Sequence, residues 1–232
     1  APFRKLVAVV STRTHGNLDT RKNDPVAKNN LEEFCAQINV RPGAIVSMAQ
    51  IHHGVVTEVD SNYHGQIIPG VDGIITDQKG LFLSVVTADC QPILIFDPEK
   101  QVIGAIHVGW RSNIAGIIPE TVAGLQNCYD TDPNTLKVYI GPSLCQAHSR
   151  FSNPRQEIPS AFHRYIINKS AKGPAGFIDW KAASRDQFIT AGVPRTNIQV
   201  SPKCTACDPD TFFSLRAEGA INGEQMALIG LR

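Results

Sequence analysis

Six short runs rich in Val and Ile crowd the chain between residues 44 and 108, at 44–48, 55–59, 72–76, 81–87, 92–96 and 102–108. Gly, Pro, Asp or Asn separates each run from the next. Runs of this length and composition favour strands, because β-branched side chains pack well on a pleated surface. The last of them, Val102-Ile-Gly-Ala-Ile-His-Val108, is apolar at nearly every position, the pattern of a strand covered on both faces. Further strands are expected at 5–11, 137–140, 197–200 and 226–231. Helices are expected from Asp24-Pro25, an N-cap followed by Pro at the first helical position, to about Cys35 or Ala36. Others are expected at 112–126, 156–168 and 180–191, with a strand–turn–helix junction at 107–112. No low-complexity linker, charge block or internal repeat divides the sequence, so residues 1–232 are read as one α/β domain with a mixed sheet.

A chain of 232 residues can bury roughly 70–75% of its unfolded surface. Its 42% hydrophobic content excludes a disordered polypeptide. A formal net charge of +1 argues against a dedicated nucleic-acid binder, which needs a cationic surplus to displace counterions from phosphates. No apolar run approaches the roughly 20 residues that cross a bilayer. The opening APFRKLVAVVSTRTHG reads as a strand rather than a signal peptide, and six scattered cysteines read as reduced thiols. The compartment expected from both is the cytoplasm.

Three local clusters carry residues with chemistry: Gln50-Ile-His52-His53-Gly54, Thr87-Ala-Asp89-Cys90-Gln-Pro92 and His107-Val-Gly109-Trp110-Arg111. All three fall at strand ends, where α/β proteins place their sites. Two imidazoles and a thiol are donor types that zinc prefers, and three protein ligands leave a fourth position open. Their separations match no local metal signature, so a satisfied core histidine with a small buried thiol remains the alternative at this stage. His107 ends an all-apolar strand and must find a partner. Gly109 before a helix start permits close backbone approach, and Arg111 there suits an anion such as phosphate, with Arg13 a possible second cation. The alternative for Arg111 is an ordinary carboxylate pair.

Cys204-Thr-Ala-Cys207 is a Cys-x-x-Cys that invites a zinc-ribbon or redox reading. A ribbon needs a second pair, which no other two cysteines supply by spacing, and a thioredoxin-like site would come earlier in the chain. A structural role is therefore expected. His53, His64, His148 and His163 read as surface or core polar residues, with His53 and His148 the two of most interest.

In this order the clusters resemble the YfiH/laccase-domain family, formerly labelled multicopper polyphenol oxidoreductases. The family's Q-x-H, A-D-C-x-P and H-x-G-W-R segments stand here as Gln50-Ile-His52, Ala88-Asp89-Cys90-Gln-Pro92 and His107-Val-Gly109-Trp110-Arg111. Its later elements stand as Ile140-Gly-Pro142 and Cys204-Thr-Ala-Cys-Asp-Pro-Asp-Thr-Phe-Phe-Ser214-Leu-Arg216, and Asp72-Gly-Ile-Ile-Thr76 matches its D-(A/G)-x-x-T strand. The resemblance implies a layered α/β/β/α fold with mixed sheets. It implies one zinc per chain on His52, Cys90 and His107, with copper a possible substitute. It further implies phosphorolysis of adenosine, inosine and S-methyl-5'-thioadenosine, with adenosine deamination alongside; the partners are then a purine nucleoside and phosphate. Arg111 and Arg13 would position the phosphate. For deamination a zinc-activated water would attack C6, with Asp89 the candidate proton carrier.

Three departures from the family pattern bear on that reading. His53 replaces a Gly beside the first ligand, and Ser112 replaces a Gly after H-x-G-W-R. Ser149 and Arg150 replace an aromatic residue and a carboxylate, which implies altered specificity or weak activity if that carboxylate serves the substrate. Competing readings are a cysteine hydrolase or deamidase with a Cys90–His107 nucleophile–base pair, a copper-dependent polyphenol oxidase, and a catalytically inactive metal-binding module. The paired H-x-H motifs of multicopper oxidases do not occur in the sequence.

Overall fold

The computed structural model describes residues 5–167, 174–220 and 222–232. Its strands, in chain order, are β1 Leu6–Val10, β2 Ile45–Ala49, β3 Val56–Glu58, β4 Ile67–Pro69, β5 Gly73–Thr76, β6 Phe82–Thr87 and β7 Gln91–Asp97. They continue with β8 Val102–Val108, β9 Lys137–Ile140, β10 Arg150–Phe151, β11 Ile166–Ile167, β12 Gly176–Ile178, β13 Ile198–Val200 and β14 Gln225–Leu231. The helices are α1 Pro25–Gln37, α2 Trp110–Ile114, α3 Ile117–Tyr129, α4 Pro154–Glu157, α5 Trp180–Thr190 and α6 Leu215–Glu218.

Two mixed sheets stack face to face. One runs β1-β14-β6-β2-β4 and the other β13-β9-β7-β8-β5-β3, while β10-β12-β11 form a small antiparallel sheet beside them. Strand alternation assigns each face. In β7, Leu94 and Phe96 pack with Val46, Leu83 and Ile229 of the other sheet, whereas Ile93 and Ile95 pack with Ile118, Val122 and Phe188 of α3 and α5. The outer face of the five-stranded sheet presents Phe82, Val86 and Leu228 to Phe34 and Cys35 of α1. The order of layers is thus α/β/β/α, as the resemblance implied.

Ile106 of β8 is fully buried in the helix-facing core. Truncation to Ala leaves a cavity, so Ile106→Ala should lose about 3 kcal/mol of stability in urea unfolding. A loss below about 1 kcal/mol would contradict the close packing described for this layer.

Two helices differ from the sequence expectation. The helix expected at 112–126 is two, α2 and α3, because Gly116 takes a left-handed φ of 86° between them. Pro119 has no N–H to donate to Ala115, so a continuous helix would lose a hydrogen bond there. The helix expected at 156–168 is replaced by the short α4, a 3₁₀ turn at Ser160–Tyr165 and β11; position 168 lies outside the described residues. Pro159 forces Ile158 into extended backbone (φ −120°, ψ 135°), which ends α4. Strands β4, β10 and β12 are additional to those expected, each being only two or three residues long. Among the described residues no helix is long and apolar enough to cross a membrane.

Candidate metal centre and adjoining cleft

His52, Cys90 and His107 converge at one end of the stacked sheets. Side chains alternate along β8, and His107 shares the inter-sheet side with Ile103 and Ala105, emerging where that layer ends. Antiparallel register sets Pro92 of β7 opposite His107, which places Cys90, two residues earlier, beside the end of β8. His52 arrives from the loop after β2 with a left-handed φ of 62°. One donor atom from each of the three residues lies within 4.8 Å of the other two, a spacing that a single ion can bridge.

The residue that holds this arrangement is Asp72, fully buried just before β5. One carboxylate oxygen accepts from the Ile51 and His52 N–H groups at 3.1 and 2.9 Å, and the other accepts from the His53 N–H at 2.7 Å. The first oxygen also pairs with His107 Nδ1 at 3.0 Å, which leaves Nε2 as the free ring nitrogen. A carboxylate that fixes the tautomer and orientation of a histidine is the usual outer support of a ligating imidazole. Burial pushes the Asp72 carboxyl up, but His107 and the His53 and His52 N–H groups more than offset this and hold it below its ordinary value. Burial lowers His107, keeping the imidazole neutral as a metal ligand must be. Burial, with the Asp89, Glu224 and Asp72 carboxylates, pushes the Cys90 thiol up to about 12. A bound cation reverses that tendency, because a coordinating thiol is deprotonated outright.

Gly109 completes the fit. A Cβ there would stand 3.1 Å from the His52 ring and 3.2 Å from Cys90 Sγ, so a side chain would crowd the donor cluster. Ser112, the departure from Gly, is accommodated: its hydroxyl accepts from the Gly109 N–H at 2.9 Å and steadies the start of α2. His53 contributes its backbone to Asp72, while its ring is not among the three grouped donors.

Cys90 and Gly109 open onto a cleft of about 310 Å³, within the range of small-molecule sites. Trp110, Phe151 and Trp180 supply its aromatic wall, with Phe151 edge-on to Trp110 at 5.6 Å between ring centres. Ser149 and Arg150, the two departures, line it together with Glu157 and Arg216. A carboxylate therefore borders the cleft from α4 although position 150 lacks one. Two buried polar atoms of cleft residues, Gln91 Oε1 and Trp180 Nε1, have no partner among the described residues.

Other expected site residues sit differently. Arg13 pairs with Glu218 at 2.5 Å, donates to the Phe212 carbonyl at 3.1 Å and lies over the Phe213 ring. Arg111 is exposed and stacks on Trp110 with 4.3 Å to the ring centre. Neither lines the cleft. Asp89, at a φ of 97°, accepts from Thr205 Oγ1 at 2.7 Å, Ser214 Oγ at 2.6 Å and the Arg216 N–H at 2.7 Å. Both of its oxygens are thus engaged in tying the last loops to Cys90. Asp72, Arg216 and Glu157 were not singled out by side-chain type. Asp72 opens the Asp72-Gly-Ile-Ile-Thr76 segment and Arg216 closes the one that begins at Cys204, which is their signal in the sequence, and Glu157 has none.

Comparison with known proteins is consistent with this geometry. A purine nucleoside phosphorylase of Corynebacterium glutamicum is 31% identical over 218 residues, covering 90% of this chain and 83% of that protein. Purine nucleoside phosphorylase YlmD of Geobacillus stearothermophilus is 30% identical over 197 residues, 81% and 72% of the two chains. Adenosine deaminase RL5, from an unknown prokaryotic organism, is 29% identical over 201 residues, 81% and 75%. The crystal structure of the Geobacillus YlmD superposes with a TM-score of 0.89 at 28% identity, covering 100% of this chain and 93% of the other. Residues 9–232 match the family described as multi-copper polyphenol oxidoreductase laccase, and the chain belongs to that family.

Proposed function

We propose that this chain is a zinc-dependent purine nucleoside phosphorylase that accepts adenosine, inosine and S-methyl-5'-thioadenosine with phosphate, and that deaminates adenosine at the same site. The observation that carries the reading is a His/His/Cys donor group opening through Cys90 and Gly109 onto a cleft walled by Trp110, Phe151 and Trp180. The names of the relatives support it. His52, Cys90 and His107 would hold the ion in a site with room for a fourth ligand. Zinc bound there supplies Lewis acidity to a polar group of the substrate or to water.

The chain's own groups do the rest. The aromatic wall stacks a purine, and Gln91 Oε1 with Trp180 Nε1 offers one acceptor and one donor to its edge. Arg150 and Arg216 give the cleft its positive side and take the phosphate in place of Arg13 and Arg111. Arg13 is committed to Glu218, and Arg111 braces Trp110 from the solvent side. Asp89 acts as an anchor for the loop at 205–216 rather than as a proton carrier, since three donors already occupy it. Glu157, whose Oε1 accepts from the Asn153 N–H, keeps its other carboxylate oxygen to exchange a proton with a bound nucleoside.

Chromatographic detection of free base from adenosine with and without phosphate tests the reading. Phosphate-dependent release is the expected result, and its absence on all three nucleosides would overturn it. Arg216→Ala removes a charge-assisted contact, so KM for phosphate should rise about 10- to 100-fold while kcat changes less. The metal-free hydrolase reading fares worse, because a Cys90 thiol raised to about 12 is a weak nucleophile beside a neutral histidine. A chelator should abolish turnover under the zinc reading and leave it intact under the other.

A further inference from the structure

The fold gives Cys204-Thr-Ala-Cys207 a second pair that spacing concealed, because one of its members is a histidine. β9 and β13 are parallel neighbours with Val200 opposite Ile140, so both release their following loops at the same sheet end. The first loop carries Cys145-x-x-His148 and the second Cys204-x-x-Cys207. Their four donor atoms lie within 4.8 Å of one another. Cys145 Sγ and Cys207 Sγ are 3.8 Å apart, and His148 Nδ1 lies 3.4, 3.6 and 3.4 Å from the sulfurs of Cys145, Cys204 and Cys207.

Those separations are the edges of a coordination tetrahedron. With Zn–S near 2.3 Å and Zn–N near 2.0 Å, tetrahedral geometry requires S···S of about 3.8 Å and N···S of about 3.5 Å. Hydrogen bonding does not explain the cluster, since three sulfurs converge on a single ring nitrogen that serves one bond well. A four-iron cluster does not fit either, because its cysteines stand apart by the width of the cluster. The Cys145 N–H donates to Cys204 Sγ at 3.1 Å, the type of outer contact that steadies a ligating thiolate.

We propose that Cys145, His148, Cys204 and Cys207 bind a structural zinc ion, independent of the His52–Cys90–His107 centre. Four protein donors fill the tetrahedron, so the site is closed to substrate. On binding, the three thiols release their protons to solvent and the ion takes their place. The ion clamps two loops that otherwise meet through the Cys145 N–H to Cys204 Sγ contact at 3.1 Å and a longer Thr205 N–H to Ser143 carbonyl contact at 3.4 Å. Both loops also hold Asp89, through the Leu144 N–H to its carbonyl and Thr205 Oγ1 to its carboxylate. The clamp therefore fixes the backbone next to Cys90 and the cleft residues Leu144, Ser149 and Arg150.

The test measures metal by plasma mass spectrometry in protein purified without added metal. Wild type should carry about two zinc ions per chain, and Cys90→Ala and Cys207→Ser about one each. Cys207 is exposed, so its replacement by Ser disturbs little packing. Cobalt(II) loaded into Cys90→Ala should give the visible absorption of a tetrahedral thiolate site, lost when Cys207→Ser is added. The melting temperature of Cys207→Ser should fall by roughly 10 °C relative to wild type. One zinc that persists in Cys90→Ala supports this site even if the first centre proves empty. A cooperatively folded Cys90→Ala protein that is metal-free, with its thiols titrating freely or with a Cys145–Cys207 disulfide in the peptide map, would overturn the proposal.

Discussion

Cys90→Ala should abolish metal binding at the His52–Cys90–His107 centre and lower kcat/KM by at least about 10³-fold. The size of the effect follows from the donor count. Three protein ligands are the most that a tetrahedral site can carry and still keep one position open, and the thiolate is the only anionic one of the three. Two neutral imidazoles that remain would hold zinc weakly, and His52 sits on an exposed loop with a left-handed φ of 62°. The fold itself should survive, because Cys90 lies outside the apolar clusters that bind the two sheets to each other and to the helices. Metal content, circular dichroism and nucleoside turnover, measured on one preparation, separate a lost site from a lost fold. Retention of wild-type turnover by a folded Cys90→Ala protein would remove the metal from the mechanism.

Asp72→Ala should be more damaging to the whole molecule. Its carboxylate, itself fully buried, satisfies three backbone N–H groups of the loop at 51–53 and the buried ring of His107. Deleting it strands four donors, and the expected cost is about 3–5 kcal/mol in urea unfolding. Metal affinity at the first centre should fall about 10- to 100-fold beyond any loss of stability, since both histidines lose their orientation. Asp72→Asn keeps the shape and one acceptor oxygen, so it should recover part of the stability but less of the affinity. Equal affinity in wild type and Asp72→Ala would mean that the loop is held by other contacts.

The layers were legible in the chain because alternation is a local property. Ile93 to Phe96 faces helices and sheet by turns, and the uninterrupted apolar texture of Val102–Val108 records cover on both sides. The broken helix had its signal in Pro119, and the false helix after residue 156 had its own in Pro159; helical spacing of apolar residues outweighed both. His52, Cys90 and His107, the candidate metal ligands, stand out by position at strand ends, but only family resemblance joins them, since 38 and 17 residues separate them in sequence. The sequence gives no sign of the partner of Arg13, because Glu218 lies 205 residues away. A separation of 59 residues hid the partnership of Cys207 with His148, because a search by cysteine spacing passes over a histidine.

The strand order also has a consequence for synthesis. β14 lies between β1 and β6, pairing Leu6 with Leu231 on one side and Gln225 with Thr87 on the other. Residues 225–231 leave the ribosome long after both neighbours. Until then β1 has no sheet to join and β6 shows an open edge, whereas β7, β8 and β9 form adjacent antiparallel pairs from nearby chain. A ribosome stalled between the emergence of β6 and the synthesis of residue 225 thus displays a bare strand edge flanked by Leu83 and Val85, a template for aggregation. Nascent chains of this protein should depend on holdase chaperones until the last strand is threaded between the first and the sixth.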